Sequence, residues 1–259
     1  MISVYEAIQF ESVAKGGSTK PLIVNIQTND GIKTFVVKVF NENAINQFNA
    51  TCKEIYASVL AKEFDLLVPE FGIVEFSDSF IETLPPEIKS RIQLPFNRFN
   101  FGSELLNGYF QYSKSLRLRE LNDYDIESIY AFDFLILNRD RNEKKPNILL
   151  GDDGDAYLID HEQSLLIKPD HTNFNENSLS YNYSYHIFFD HLRRKRVAPG
   201  FDTFEEYLRR LDIHLLSDSF DDLQELGFNT EDGLLARWHL EQAKEKILDF
   251  KELLINSVT

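Results

Sequence analysis

Leu137 to Gln163 reads LNRDRNEKKPNILLGDDGDAYLIDHEQ and sets Asp140, Asn147 and Asp160 each at the edge of an apolar run. Oxygen donors in this pattern suit phosphoryl transfer, which needs a carboxylate beside an acceptor hydroxyl and a few side-chain oxygens that hold magnesium against phosphate oxygens. Asp140 follows a long apolar segment and is the candidate beside the acceptor. Asn147 opens NILL and Asp160 closes AYLID, so a hairpin between those runs can carry both to one cation. Upstream, the rest of such a site follows in order. The loop KGGS, with Gly16, Gly17 and Ser18, can cover phosphates with backbone N–H groups. Lys38, inside KTFVVKVF, can reach phosphate oxygens, and Glu54, sixteen positions later, can pair with Lys38 from the next helix.

Taken singly, each residue has a plainer reading. Two glycines between strands make a turn, and a strand lysine is often an exposed edge residue. Asp140 between Arg139 and Arg141 fits a surface ion-pair cluster of little energetic weight. Asn147 after Pro146 fits turn chemistry, and Asp160 fits a cap for the next segment of chain. His161 and Glu162 read as supporting groups or as solvated ones. The turn GDDGD lacks the spaced ligands and terminal glutamate of a calcium loop and reads as a polar hairpin turn. One nucleotide site accounts for the ordered series more economically than separate explanations.

The elements that must position these residues fall into two kinds. Ala7 to Val13 reads as a strand, KGGSTKP as a turn, and LIVNIQT as the next strand. Asn29-Asp30-Gly31 is a hairpin signal leading into KTFVVKVF. Asn41 to Ala61 reads as one helix carrying Glu54, Val68 to Phe76 as a strand, and the proline-containing stretch Ser77 to Asn100 as an irregular or short helical linker. Further on, Asp123 is the expected N-cap of a helix, YDIESIYAFDFLILN, that is apolar around its circumference and therefore central to a helical region. FEEYLRRL, FDDLQELG and LLARWHLEQAKEKILDFKELL carry amphipathic periodicity, with Trp238 expected in the core. The class is α+β, with a β-rich N-terminal lobe over 1–100, a connector over 101–115, and a mostly helical lobe over 116–259. FGSELL, in that connector, is a candidate for backbone hydrogen bonds to adenine.

Composition narrows the functional classes. The chain has 259 residues, is 43% hydrophobic and carries a formal charge of −15, which disfavours bulk binding to phosphate backbones. The basic cluster Arg193 to Arg196 reads either as a solvated face paired with acids or as a surface for an acidic partner, and the aromatic run Tyr181 to Phe189 as packing under a loop or as a substrate platform. The single cysteine, Cys52, excludes an internal disulfide framework and reads as a small buried apolar residue. No run reaches the roughly 18 apolar residues of a membrane span, so the expectation is a soluble, cytoplasmic protein with neither membrane nor direct nucleic-acid contact.

KGGSTKP, FVVKVF, LNRDRNEKKPNILL and YLIDHEQ together resemble the HipA-like kinases, bacterial relatives of protein and phosphoinositide kinases, and in particular their compact single-domain branch. The resemblance runs from about Ala7 to Leu166 and implies a bilobal protein-kinase-like fold, with the N-terminal lobe binding nucleotide and the helical lobe catalytic. It implies ATP and Mg2+ as cofactors, Lys38 on the nucleotide phosphates with Gly16, Gly17, Ser18 and Thr19 in the loop beside them, Asp140 as the catalytic aspartate, and Asn147 and Asp160 on magnesium. It also implies serine/threonine specificity, autophosphorylation at Ser18 or Thr19 in some members, a regulatory protein partner, and a toxin role alongside a DNA-binding partner in some relatives. The chain departs from the pattern at three points. Asn147 lies seven positions after Asp140 where protein kinases have five, with Lys145 at the fifth; Asn142 stands where a histidine is common; and His161-Glu162, not Phe-Gly, follows Asp160. The expected activity is transfer of the γ-phosphate of ATP to a protein serine or threonine. The alternatives are a small-molecule or lipid kinase and a nucleotide-binding regulatory module that has lost transfer.

Overall fold

The computed structural model describes every residue except 16–18, 114–115, 117–119, 152–153, 168–173, 180, 196–198 and 259. The chain forms two compact units, each discontinuous in sequence. One comprises Met1–Ile55, Pro69–Asn107 and Ser219–Thr230, and the other Tyr56–Val68, Gly108–Asp218 and Glu231–Thr259.

The first unit is built on a closed five-stranded barrel in the order β1 (Val4–Val13), β2 (Leu22–Thr28), β3 (Gly31–Lys38), β5 (Phe99–Glu104), β4 (Phe71–Glu75). β1 and β4 pair in parallel and close the barrel, and the other pairs are antiparallel. Strict alternation decides the faces: Leu22, Val24 and Ile26 of β2 and Phe35 and Val37 of β3 point inward and are fully buried. The β2–β3 hairpin turns at Asn29-Asp30, with Thr28 opposite Gly31, whose φ of +123° suits glycine. Gly102 is required by packing, because a Cβ there would lie 2.5 Å from a Val74 methyl. The helices α3 (Asp78–Thr83) and α4 (Pro86–Lys89) add Phe80, Leu84 and Ile88 to the same core.

Two expectations change here and one takes definite form. Asn41 to Ala61 is two helices, α1 (Glu42–Asn46) and α2 (Ala50–Glu63), because Asn49 takes a positive φ of 49° and interrupts the helical path. The stretch expected to be irregular or short helical contains the two short helices α3 and α4. Phe101 to Glu104, expected in the connector, lie within β5 and pair with both β3 and β4. Cys52 is buried on α2, with Sγ 3.7 Å from the Asn229 carbonyl.

The second unit packs helices around α5 (Ile126–Leu135), whose described residues are nearly all buried, as its apolar circumference requires. Its N-cap is Asp125, which accepts from the Ser128 N–H at 3.1 Å; Asp123 instead ends a short 3-10 turn, Glu120–Asp123. The unit's other helices are α6 (Phe174–Leu179), α7 (Phe189–Arg193), α8 (Asp202–Arg210), α10 (Glu231–Glu245) and α11 (Ile247–Ser257), while α9 (His214–Glu225) passes from this unit into the first at Ser219. Phe64 stacks on Phe204 with ring centroids 4.6 Å apart, and Phe134 meets Phe250 edge-on at 5.6 Å. Trp238, expected in the core, is only partly buried on α10. A small sheet of β6 (Phe110–Gln111), β7 (Ile148–Leu150) and β8 (Ala156–Leu158) completes the unit, with β7 and β8 antiparallel.

His239 on α10 is fully buried and donates from Nε2 to the Leu135 carbonyl at 3.0 Å. Burial, partly opposed by that carbonyl bond, lowers its pKa to about 4. In the unfolded chain the value is about 6.5. The unfolded state therefore takes up a proton first as the pH falls, and this stabilising contribution, complete above about 6.5, is lost on the way down to about 4, amounting to about 3 kcal/mol. Thermal unfolding midpoints of wild type and His239→Gln, compared from pH 7 to 4, are expected to converge as the pH falls. Parallel curves would disprove the assignment.

Candidate active site

In the barrel unit, Lys38 ends β3 on the strand face opposite Val37, so its side chain leaves the barrel interior and its ammonium forms an ion pair with Glu54 of α2. The Glu54 carboxylate is 1% exposed and Lys38 11%, so the pair is largely desolvated and strongly directional. Gly16, Gly17 and Ser18 lie outside the described residues. Thr19 is described, and its backbone anchors it: Arg91 donates to the carbonyls of Thr19 at 3.0 Å and Lys20 at 2.8 Å, while the Ala14 N–H bonds to the Pro21 carbonyl at 2.8 Å. The β1–β2 loop is thus pinned at its base. Arg91, in a stretch read as irregular or short helical, gave no signal in the sequence.

In the helical unit, the chain leaves α5 through Leu137, in positive φ, and Asn138, whose side-chain oxygen accepts from the Asp140 N–H at 3.1 Å. Asn142 and Lys145 then exchange both backbone hydrogen bonds, at 3.0 and 3.1 Å, and the Asn142 side chain accepts from the N–H groups of Lys144 and Lys145. This tight turn accounts for the longer spacing before Asn147. It also folds Lys145 back, so that its ammonium donates to Asp140 Oδ2 at 2.8 Å. The hydrogen bond to Asp140 raises the Lys145 pKa against partial desolvation, and the charges of Asp140, Asp160 and Glu162 add to it. Lys145 therefore brings Asp140 and Asp160 into one electrostatic neighbourhood.

Arg141 does not belong to a surface cluster. Its side chain is fully buried and bonds through Nε to Asp133 of α5, also fully buried, at 2.5 Å; through Nη1 to the Asn147 carbonyl; and through Nη2 to His161 Nε2 at 3.3 Å. An arginine only donates, so His161 accepts on Nε2 and carries its proton on Nδ1. His161, read as supporting or solvated, is buried and holds Arg141. His186 Nε2 donates to Asp133 at 3.0 Å while its Nδ1 accepts the Phe188 N–H, and Asn138 donates to the other Asp133 oxygen at 2.8 Å. Burial alone would raise the Asp133 carboxyl, but the Arg141 charge and the His186 hydrogen bond outweigh it and hold the group at about 2. Burial lowers the His186 pKa despite Asp133 and keeps the ring neutral. The signal for this network was present in the sequence as an acid, Asp133, in the middle of a helix apolar on nearly every side, since a buried carboxylate requires partners.

Asn147 immediately precedes β7 and Asp160 follows β8. The Ile159 N–H bonds to the Asn147 carbonyl at 3.1 Å, so the hairpin makes the two residues near neighbours along paired strands. Both take positive φ, 50° and 63°, which Asn and Asp tolerate better than most residues. The Asn147 side chain is buried, and its Nδ2 has no hydrogen-bond partner among the described residues. Leu137 and Leu165 also take positive φ, which bulkier side chains adopt only where surrounding contacts impose it. Strained backbone is thus concentrated around the candidate residues.

The family model for HipA-like kinases matches residues 8–214. The chain belongs to the HipA-like kinase family. The fold agrees: a crystal structure of a Helicobacter pylori proinflammatory kinase, CtkA, matches with a TM-score of 0.54 at 12% identity, covering 99% of each chain. No curated protein matches the sequence. Membership of a kinase family supports a phosphotransferase, and the mixed α+β architecture, β-rich in its N-terminal region and helical in its C-terminal region, is that of a kinase structure.

Within this HipA-like kinase, the remaining surface features have structural partners. Arg193 and Arg194 both bond to Asp190, at 3.3 and 3.7 Å, and Lys195 to Glu127 at 2.7 Å; Arg196 lies outside the described residues. In the aromatic run, Tyr183 is buried and packs against Phe134, and the Arg139 guanidinium stacks on Tyr181 at 3.5 Å. Among the described residues, no helix is long and apolar enough to cross a membrane.

Proposed function

We propose that this HipA-like kinase transfers the γ-phosphate of ATP to a serine or threonine of a protein, with magnesium. The bilobal protein-kinase-like organisation belongs to the same reading. The observation that carries it is the desolvated Lys38–Glu54 ion pair, a strand lysine held by a helix acid, which fixes a cation where β3 ends. A lysine positioned in this way binds nucleotide phosphates in the kinase mechanism. Asp140, with its N–H tied to Asn138, orients the acceptor hydroxyl. The donor set fits magnesium: Asp160 offers a carboxylate and Asn147, whose side chain is buried in the hairpin beside it, an amide oxygen, both hard oxygen ligands. Magnesium bound by Asp160 and Asn147 would neutralise phosphate charge. Gly16, Gly17, Ser18 and Thr19 complete the phosphate loop, with Ser18 or Thr19 as an internal acceptor. A protein acceptor, a regulatory protein partner and a cytoplasmic setting without nucleic-acid or membrane contact round out the proposal.

One observation favours a second reading, a nucleotide-binding module without transfer: the Lys145 ammonium already occupies Asp140.

Thermal unfolding with and without Mg-ATP tests the nucleotide site. Nucleotide at 100 times its dissociation constant is expected to stabilise wild type by about 2.7 kcal/mol, or about 5–10 °C for a domain of this size. Lys38→Met is expected to lose that shift. A wild type that does not respond to Mg-ATP would rule out the kinase reading.

A further inference from the structure

A cavity of about 270 Å3 lies in the helical unit among α5, α6, α7 and α11, and neither Asp140, Asn147 nor Asp160 lines it. Phe134, Tyr183, Phe189 and Leu253 form its walls, and Leu179, 69% exposed, stands at its rim. None of the residues lining it is charged, in a chain that is 27% charged. An ion entering it would exchange hydration for walls without a countercharge, so the cavity disfavours charged ligands. An apolar cavity of about 150 Å3 admits benzene, and this one therefore has room for a ring with a polar substituent.

One polar group inside it is unused. Ser178 of α6 lines the cavity at 1% exposure, and its Oγ has no hydrogen-bond partner among the described residues. A helical serine can spend its hydroxyl on a carbonyl one turn back, and leaving such a group buried without a partner is costly. Ser178 thus keeps both a donor and an acceptor for an incoming group. Other polar residues of the lining are engaged: the Asn182 side chain accepts from the Ser184 N–H at 3.0 Å, and the Ser257 hydroxyl donates to the Leu254 carbonyl at 2.6 Å.

The cavity also shares a wall with the loop that carries Asp140. Tyr181 and Tyr183 line both this cavity and the cleft that holds Asn138, Arg139 and Arg141. The Arg139 guanidinium lies 3.5 Å from the centre of the Tyr181 ring. Tyr183 meets Tyr130 edge-on at 6.2 Å, and Tyr130 meets His186, the partner of Asp133, at 4.8 Å. The two tyrosines therefore touch groups that flank and anchor Asp140.

We propose that this cavity is a binding site for a small neutral ligand, a single ring carrying an uncharged hydrogen-bonding group, which the Ser178 hydroxyl recognises and whose entry shifts the Tyr181 and Tyr183 wall behind the Asp140 loop. The inference goes beyond the nucleotide reading, and its test uses neither nucleotide nor transfer.

Benzamide, benzoate and benzamidinium are close in shape and differ in charge, so they probe the site directly. The full chain is labelled with 3-fluorotyrosine, and the fluorine resonances of Tyr181 and Tyr183 are assigned from Tyr181→Phe and Tyr183→Phe. Benzamide is expected to shift both resonances saturably, and benzoate and benzamidinium to bind at least about tenfold more weakly. Ser178→Ala is expected to lose about 2- to 10-fold in benzamide affinity while unfolding at no lower temperature than wild type, because it removes an unsatisfied buried group. A hydroxyl with a structural role only would show the reverse, a lower midpoint and unchanged affinity. No saturable shift with benzamide, an equal response to all three probes, or unchanged affinity in Ser178→Ala would overturn the proposal. Should Ser178→Ala fail to fold, the comparison of the three probes on wild type decides the matter by the same criteria.

Discussion

Asp140→Ala is expected to lower phosphoryl transfer by about 100- to 10,000-fold, the range for removing a positioned acid–base group, while leaving nucleotide affinity close to wild type. The separation of effects comes from where the residue sits. Asp140 is held through its own backbone by Asn138 and is 15% exposed, so it contributes little to packing. Lys145, the partner it leaves behind, is half solvated and readily rehydrated, and a pair of this kind is worth only about 0–1 kcal/mol. Folding should therefore survive. Initial rates with γ-labelled ATP, paired with calorimetric nucleotide binding, read the two effects separately. Transfer that persists in Asp140→Ala would remove Asp140 from the mechanism. Binding without transfer in wild type and variant alike would establish the nucleotide-binding module in place of the enzyme.

Asp133→Ala is expected to have the largest effect on stability, for the opposite reason. Asp133 and Arg141 are both fully buried, and removing the acid leaves the guanidinium uncompensated in a low-dielectric interior. Breaking such a pair from one side costs about 3–5 kcal/mol, a large part of the roughly 5–15 kcal/mol that holds a protein together. At about 2–4 °C per kcal/mol for this size, the unfolding midpoint should fall by about 6–20 °C. His186 and Asn138 lose a partner in the same change, so the loop carrying Asp140 should loosen and transfer should fall as well. The double replacement Asp133→Leu with Arg141→Met is expected to recover much of the stability and little of the activity, because it removes the buried charges without restoring the loop's anchor. The folded pKa of Asp133, about 2, lies below the unfolded value, so its stabilising contribution is present above about pH 4 and disappears as the pH falls through 2. A loss under 1 kcal/mol in Asp133→Ala would show that the network does not act as a unit.

The linear order of residues carried some of this and not the rest, and the division runs along physical lines. Alternation in LIVNIQT and KTFVVKVF is a local property, set by the two-residue period of a strand, and it placed Lys38 on a β-strand before any neighbour was known. The apolar circumference of α5 likewise implied a buried central helix. The ordered set Lys38, Glu54, Asp140, Asn147, Asp160 is the order that the proposed phosphoryl transfer requires, and all five lie within the family match over residues 8–214. Helix ends were less legible. Asp123 was the expected cap, but the cap is Asp125, whose carboxylate reaches the Ser128 N–H.

Charge pairing belonged to the tertiary structure. Arg139, Asp140 and Arg141 are consecutive, yet one guanidinium lies on Tyr181, the carboxylate meets Lys145, and the other guanidinium enters the interior to meet Asp133. Successive side chains on an irregular backbone point in unrelated directions, and a long-range Coulomb partner is selected by burial and by the turn that aims each group, neither of which is written at the residue itself. The chain's own amino acids determined that it is a HipA-like kinase with a strand lysine, a helix acid and three oxygen donors. Only the fold decided that Lys145 stands on Asp140 and that Asp133 holds the loop beneath it, because a desolvated charge takes its partner from whatever the packing brings within reach.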